Sequence, residues 1–261
     1  MKVVILAGGY GSRISEESHL VPKPMIEIGH RPLLWHIMKI YSHFGFNDFV
    51  ICLGFKSKVI KDYFLSYDYY QSDFTIDFAN RRSIKIKDTV VEPWKVTLVD
   101  TGEDTMTGAR IKSIEKYIDD DHFMLTYGDG VAAINLHELV ECHRHHNKIA
   151  TVTAVNPPGR FGMLHLDQNC SVTHFNEKPT DGNMWINGGF FVLSREVFRY
   201  LPEDCPNLVW EQGPLEQLTA DGQLHAFKHT GFWHPMDTLR DKHQLEQLWN
   251  SGDAAWKVWA E

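Results

Sequence analysis

Short runs of apolar and β-branched residues alternate along the chain with amphipathic stretches, the pattern of βαβ units around a mostly parallel sheet. Residues 2–6, 48–53, 95–100, 122–127 and 149–155 read as buried strands, and 32–44, 57–67, 108–118 and 135–147 as helices between them. In the first of these helices Leu33, Leu34, Ile37, Met38 and Tyr41 recur at helical spacing and give one apolar stripe. Residues 74–87 predict a hairpin insertion, since Phe74, Ile76 and Phe78 alternate with polar positions and Ile84 and Ile86 do the same. The stretch 163–193 is strand-rich, and Pro and Gly mark 156–160 and 179–183 as loops. A last helix over roughly 236–251 starts near Asp237 and breaks at Gly252. With no internal repeat or long linker, the pattern predicts one α/β domain over 1–261. It has a core of about 1–155 and a later portion of about 156–261.

Composition narrows the class. At 261 residues, 43% hydrophobic and 23% charged, the chain matches ordinary globular usage, which excludes a disordered, collagen-like or coiled-coil protein. The net charge of −8 argues against a broad nucleic-acid or anionic-membrane surface, because such binding neutralises phosphates with Lys and Arg. A phosphorylated ligand must therefore be met by a local arrangement. Cys52, Cys142, Cys170 and Cys205 are scattered without a C-x-x-C pair, so they read as reduced thiols of a cytoplasmic protein. No run approaches the ~18 apolar residues that span a bilayer, and residues 3–7 read as a first strand.

The strongest chemical signal is Leu6-Ala7-Gly8-Gly9-Tyr10-Gly11-Ser12-Arg13, directly after that strand. Three glycines in four positions let backbone N–H groups surround an anion, so this loop is read as a phosphate cradle. It is neither a P-loop, since Arg13 stands five positions after Gly8 and no Lys-Ser/Thr pair follows, nor a dinucleotide fingerprint, whose third glycine is replaced by Ile14. Arg13, and Lys23 between Pro22 and Pro24, are two cations suited to a triphosphate. A second signal is Tyr127-Gly128-Asp129-Gly130 at the carboxyl end of an apolar strand, where open parallel sheets bind ligands. Asp129 is a candidate Mg²⁺ ligand, a hard oxygen donor for a hard cation. Asp237 reads either as a second such ligand or as the N-cap of the last helix.

These motifs, followed in order by Phe175-x-Glu177-Lys178-Pro179 and Ile186-Asn187-Gly188-Gly189, run over nearly the whole chain. Together they resemble the sugar-1-phosphate nucleotidyltransferases. The stretches Leu34-Trp35-His36-Ile37, Val99-Asp100-Thr101-Gly102 and Gly231-Phe232-Trp233-His234-Pro235-Met236-Asp237 resemble the branch that uses CTP and glucose 1-phosphate. The resemblance implies a Rossmann-like core that binds nucleotide and a strand-rich later portion that binds sugar. It places Leu6, Ala7, Gly8, Gly9, Tyr10, Gly11, Ser12, Arg13, Lys23, Thr105, Arg110 and Gly128 at the nucleotide, with Arg13, Lys23 and Asp129 catalytic. Asp129 and Asp237 would hold Mg²⁺, and Glu177, Lys178, Asn187 and Gly188 would meet the sugar phosphate. It also implies a homo-oligomer, with a hexamer as the form to test. Ser12 keeps the hydroxyl of the wider family's Thr, Ile14-Ser15-Glu16-Glu17 follows the CTP-using branch, and Tyr10 replaces a smaller residue.

The reaction so implied joins the two substrates with loss of pyrophosphate. It needs no general base, which agrees with the lack of a triad pattern. Arg110, a donor only, would favour cytosine, whose N3 and O2 accept, over uracil. Uridylyl or thymidylyl transfer on the same scaffold, a metal-dependent glycosyltransferase and a silent nucleotide-sugar sensor are the rival readings. Cys142-His143-Arg144-His145-His146 reads as a solvated helix end, because its spacing brings no three ligands together.

Overall fold

In the first strand Val3, Ile5 and Ala7 pack into one core while Val4 and Leu6 pack into another. A strand covered on both faces reads as an unbroken apolar run, which is why these strands are legible in the sequence. The structure is a computed structural model. It describes residues 1–261 apart from 15–18, 20, 81, 88–90, 158–162, 167–170, 177–183 and 261, and the backbone alone of 13, 163–166 and 174–176. In chain order the elements are β1 (Val3–Ala7), β2 (Glu27–Ile28), β3 (Arg31–Pro32), α1 (Leu33–His43), β4 (Asp48–Leu53), α2 (Ser57–Leu65), α3 (Tyr67–Tyr70), β5 (Asp73–Asp77), β6 (Ser83–Lys87) and β7 (Lys95–Asp100). They continue with α4 (Thr107–Ser113), β8 (His122–Tyr127), β9 (Gly130–Ala132), α5 (Leu136–His146), β10 (Ala150–Val155), β11 (Met163–Leu166), β12 (Val172–Asn176), β13 (Ile186–Ser194), α6 (Pro214–Ala220), β14 (Leu224–His229), β15 (Trp233–Pro235) and α7 (Leu239–Ser251).

Seven strands form one sheet in the order β14-β10-β13-β8-β1-β4-β7. Every neighbouring pair is parallel except those of β13, which runs antiparallel to both β10 and β8. The fold is therefore a mixed, mostly parallel α/β sheet flanked by helices. One face carries α1, α5 and α7, with Leu34, Ile37, Leu139 and Leu245 in its core. The other carries α4 and α6, with Ile111, Trp210 and Leu218.

Several local expectations change. The expected helix 57–67 divides into α2 and α3, and 108–118 into α4 and a 3-10 turn at Glu115–Tyr117. The hairpin forms as β5 and β6. Within the expected loops, 158–160 and 179–183 lie outside the described residues. The sequence reading missed α6 and β14, the latter an edge strand in which half-exposed and polar positions hide the period. Asp237 is not the cap of α7: Thr238 is, accepting the Asp241 N–H at 3.2 Å while Asp241 accepts the Thr238 N–H at 2.8 Å. Gly252 closes the same helix at φ 82°.

The histidines of α1 and α5 are structural. His36 is fully buried and its Nε2 meets the Ile28 carbonyl at 2.8 Å, so Nδ1 is left to accept from Trp256 Nε1 at 3.4 Å. His143 is buried rather than solvated, which corrects the reading of that helix end. Here the partners assign one direction of donation. The Lys148 N–H reaches His146 Nδ1 at 3.0 Å, His146 Nε2 reaches Thr151 Oγ1 at 2.7 Å, Thr151 reaches His143 Nδ1 at 2.8 Å, and His143 Nε2 reaches His122 Nδ1 at 3.1 Å. The structure also sets His225 of β14 beside Cys142 and His146, with their ligand atoms all within 4.8 Å, a grouping that helix spacing alone did not show. Both ring nitrogens of His146 are already engaged in this chain of hydrogen bonds.

Burial holds both His36 and His143 at a pKa of about 4, with nearby His122, His146 and Arg144 adding to the effect at His143. Each must stay neutral in the folded state, whereas the unfolded chain takes up a proton near 6.5. Stability should therefore fall as pH drops from about 6.5 towards about 4, by on the order of 3 kcal/mol for each histidine. Urea unfolding across this window should show a shallower pH slope in His143→Gln than in the parent; an unchanged slope would overturn the assignment.

Candidate functional site

The parallel strands β1, β4, β7 and β8 end at one edge, and the predicted loops gather there. Gly8 is buried at the end of β1, with Gly9, Tyr10 and Ser12 exposed beyond it and Gly11 at φ 64° before the 3-10 turn Ser12–Ile14. Arg13 lies in this turn. The backbone ties the loops together: the Phe55 N–H donates to the Gly8 carbonyl at 3.1 Å and the Gly128 N–H to the Leu6 carbonyl at 3.0 Å. Tyr10 packs against Phe55, with centroids 5.0 Å apart and the rings tilted by 46°, and its hydroxyl donates to Asp104.

Lys23 enters from a 3-10 turn, Lys23–Met25, whose start is shaped by Pro22 and Pro24. Its buried ammonium donates to Asp129 Oδ2 and Asp237 Oδ1, both at 2.8 Å. Two segments 108 residues apart supply these carboxylates because β9 and β15 pair, with Gly130 opposite Pro235 and the Met236 N–H donating to the Asp129 carbonyl at 2.8 Å. Burial works against the charge on Lys23, but Asp129 and Asp237 outweigh it and hold the pKa above the usual lysine value. The amine thus stays cationic. Two hard oxygen donors converging on one cationic point also suit a divalent metal ion.

Arg110, expected at the nucleotide, lies beneath the loops. It is 3% exposed, and its two terminal nitrogens donate to the carbonyls of Leu53 (3.0 Å), Gly102 (2.6 Å), Gly8 (2.9 Å) and Glu103 (3.0 Å) and to Thr101 Oγ1 (2.7 Å). Those contacts leave neither nitrogen aimed at a base, so the structure makes Arg110 a staple for three loops. A Cβ at Gly8 would sit 2.3 Å from this guanidinium, which explains that glycine from below. Thr105 packs on Gly102 in the loop after β7, where a Cβ would meet Thr105 Oγ1 at 2.5 Å.

On the other side of β8, Asn187 and Gly188 open β13. Asn187 Oδ1 accepts the Gly189 N–H at 2.8 Å and its Nδ2 donates to Tyr127 Oη at 3.0 Å; the Gly188 carbonyl accepts from Trp233 Nε1 at 2.7 Å. Glu177 and Lys178 lie outside the described residues. The structure therefore brings Leu6, Ala7, the glycine loop, Lys23, Gly128, Asp129, Asp237, Asn187 and Gly188 to one edge of the sheet. Sequence reasoning missed Tyr127, Thr107, Glu211 and Trp233 there. Tyr127 carried a signal, its place immediately before Gly128-Asp129, and Trp233 stands in the stretch 231–237 on which the resemblance rests. A cavity of about 1030 Å³ opens at the opposite edge between His122, His143, Arg144 and Arg195, and holds none of these groups.

A family profile described as nucleotidyl transferase matches residues 2–238. The glucose-1-phosphate cytidylyltransferase of Salmonella typhi is 52% identical over 260 residues, covering 99% of this chain and 100% of the relative. A protein of Bacillus subtilis (strain 168) named probable glucose-1-phosphate cytidylyltransferase is 44% identical over 259 residues, with 99% and 100% covered. Among solved structures, HddC from Yersinia pseudotuberculosis superposes with a TM-score of 0.69 at 24% identity, covering 95% of this chain and 99% of that one. At that identity the likeness is one of fold.

If Arg110 is the staple, Arg110→Lys should not replace it, because one ammonium cannot reproduce five hydrogen bonds in a planar fork. Buried acceptors left unpaired should lower unfolding stability by on the order of 3 kcal/mol. Denaturant titration checks this, and an unshifted midpoint would show that the loops stand without it.

Proposed function

The chain belongs to the nucleotidyl transferase family, and we propose that it transfers a cytidylyl group from CTP to α-D-glucose 1-phosphate, releasing pyrophosphate and forming CDP-glucose. The observation that carries this reading is Lys23 bridging Asp129 and Asp237 beside the glycine loop. That is an arrangement for handling anions at a strand-end edge, and it stands in a chain 52% identical over its length to a cytidylyltransferase.

In the reaction a phosphate oxygen of glucose 1-phosphate attacks the α-phosphorus of CTP, and the bond from that phosphorus to the pyrophosphate oxygen breaks. With a second pKa of about 6 a phosphate monoester is largely dianionic at neutral pH, so no side chain need remove a proton. What the protein must do is hold two repelling anions in line and offset the charge that develops on the α-phosphate and the leaving group. The backbone N–H groups of residues 8–12 cradle the triphosphate. Arg13 and Lys23 offset its charge, and Gly128 leaves room at the end of β8. On the acceptor side Lys178 meets the phosphate, while Asn187, Gly188 and Glu177 line the sugar. A divalent metal ion, Mg²⁺ by the hardness of its donors, would be held by Asp129 and Asp237 and would supply Lewis-acid charge neutralisation at the phosphates. When substrates enter, Lys23 can exchange its carboxylate partners for phosphate oxygens.

We also infer that the protein self-associates through the β5–β6 hairpin. Phe74, Ile76, Ile84 and Ile86 lie on one face of this two-stranded ribbon, with Phe74 opposite Ile86 and Ile76 opposite Ile84. Phe74, Ile84 and Ile86 are exposed, an apolar face suited to a second copy of the chain. Ile84→Lys should shift sedimentation towards the monomer; an unchanged sedimentation coefficient would refute this contact.

Incubating the protein with Mg²⁺, glucose 1-phosphate and each of the four ribonucleoside triphosphates or dTTP, with pyrophosphate as readout, should give fastest release with CTP. Asp129→Asn should reduce that turnover by about 100-fold or more. Near-normal turnover of this variant would overturn the metal-ligand role, and a preference for UTP or dTTP would overturn the base assignment.

A further inference from the structure

Tyr127 ends β8 one residue before Gly128, and its phenol stands between the nucleotide and sugar sides. The hydroxyl donates to Glu211 Oε1 and accepts from Asn187 Nδ2 at 3.0 Å. Since Asn187 Oδ1 takes the Gly189 N–H, the amide is oriented without ambiguity: its oxygen faces the backbone and one N–H faces the phenol. Asn187 is exposed, and among the described residues nothing takes its second N–H. Its ring lies so close to Gly189, at φ 82°, that a Cβ there would come within 2.7 Å.

Glu211 lies in the irregular segment between the 3-10 turn Arg195–Tyr200 and α6. Its Oε2 accepts from Thr107 Oγ1 at 2.9 Å, and Thr107 Oγ1 in turn accepts the Trp210 N–H at 2.8 Å. Thr107 is the first residue of α4, the helix that carries Arg110. One carboxylate therefore anchors the end of β8 to the helix that staples the nucleotide loops, and aims the residue that opens the sugar side.

We propose that Glu211 is a positioning residue for sugar-phosphate recognition: through Tyr127 it holds the Asn187 amide so that one N–H is presented to a hydroxyl of the sugar. The inference rests on the nucleotidyl-transfer reading and adds to it the residue that sets the acceptor side. The amide is a donor at this point, so the group it meets is a hydroxyl or ring oxygen of a polyhydroxylated sugar rather than a cation.

Steady-state kinetics of Glu211→Ala, Glu211→Gln and Tyr127→Phe test it. Glu211→Ala and Tyr127→Phe should each raise KM for glucose 1-phosphate about tenfold, and Tyr127→Phe, which leaves the Thr107–Glu211 contact in place, should change KM for CTP by less than about twofold and kcat by less than about threefold. Glu211→Gln should recover most of the loss, since its amide oxygen still accepts from Tyr127. The double variant Glu211→Ala/Tyr127→Phe should be no worse than the weaker single, because both cut one chain of contacts. Equal increases in both KM values in Tyr127→Phe, or additive single effects, would overturn the proposal in favour of a general role in folding. Tyr127→Phe keeps the ring against Gly189 and carries the test even if Glu211→Ala folds poorly. If the parent protein prefers another triphosphate, the same split is read with that one, so the base assignment can fail while the Glu211 inference stands or falls on its own.

Discussion

A parallel sheet brings the ends of its strands to one edge, and the last carbonyls there have no further strand to pair with. Arg110 meets that constraint. One buried guanidinium takes up carbonyls from the ends or following loops of β1, β4 and β7, so three loops with no regular structure are held in register. The edge can then remain glycine-rich on its outer side, with backbone N–H groups accessible. Gly8 is required from below, because a Cβ there would collide with the Arg110 guanidinium at 2.3 Å. Glycine in such a loop is thus not evidence of ligand binding alone, because packing requires it as well.

The charge of the site follows from the same economy. In a chain of net charge −8, a buried ammonium is maintained because Asp129 and Asp237 hold it from two sides, and their attraction exceeds the desolvation that burial imposes. Salt bridges at a surface contribute little, but here the Lys23 side chain is only 11% exposed and that of Asp237 18%, so screening is weaker than at an open surface. On the proposed reading, the two carboxylates are also what lets an acidic protein receive phosphates. They define where cationic charge collects, and the glycine loop lies next to that point.

Much of this was legible in the letters because burial on both faces of β1, β4 and β8 writes strands as apolar runs, and because Gly8–Gly11 and Gly128-Asp129 sit directly after such runs. What stayed hidden depended on contacts distant in sequence. Asp237 could be read as a metal ligand or as a helix cap until the pairing of Gly130 with Pro235 set it beside Asp129 and left the capping to Thr238. Arg110 looked like a base reader because sequence shows its charge but not the five acceptors around it. His143 looked solvated because its partners His122 and Thr151 come from other strands. Glu211 stands in a segment with no period at all, so no pattern could select it.

The path of that segment also decides where phosphate can be held. Helix N-termini are the usual alternative to a glycine loop, since their first N–H groups lack partners. At α4 several of those groups already have partners: the Met106 N–H donates to the Pro206 carbonyl at 2.8 Å, and the Gly108 and Ala109 N–H groups donate to the Leu208 carbonyl at 2.8 and 3.2 Å. The stretch from Pro206 to Leu208 therefore closes the amino end of the helix, and within three residues Glu211 takes the Thr107 hydroxyl and the Tyr127 phenol. On the proposed reading, this leaves the loop after β1 rather than the start of α4 to take the anion. The segment that closes the helix is the same one that reaches Tyr127, so on the proposed reading the separation between the nucleotide and sugar subsites is set by a continuous stretch of chain rather than by two independent loops.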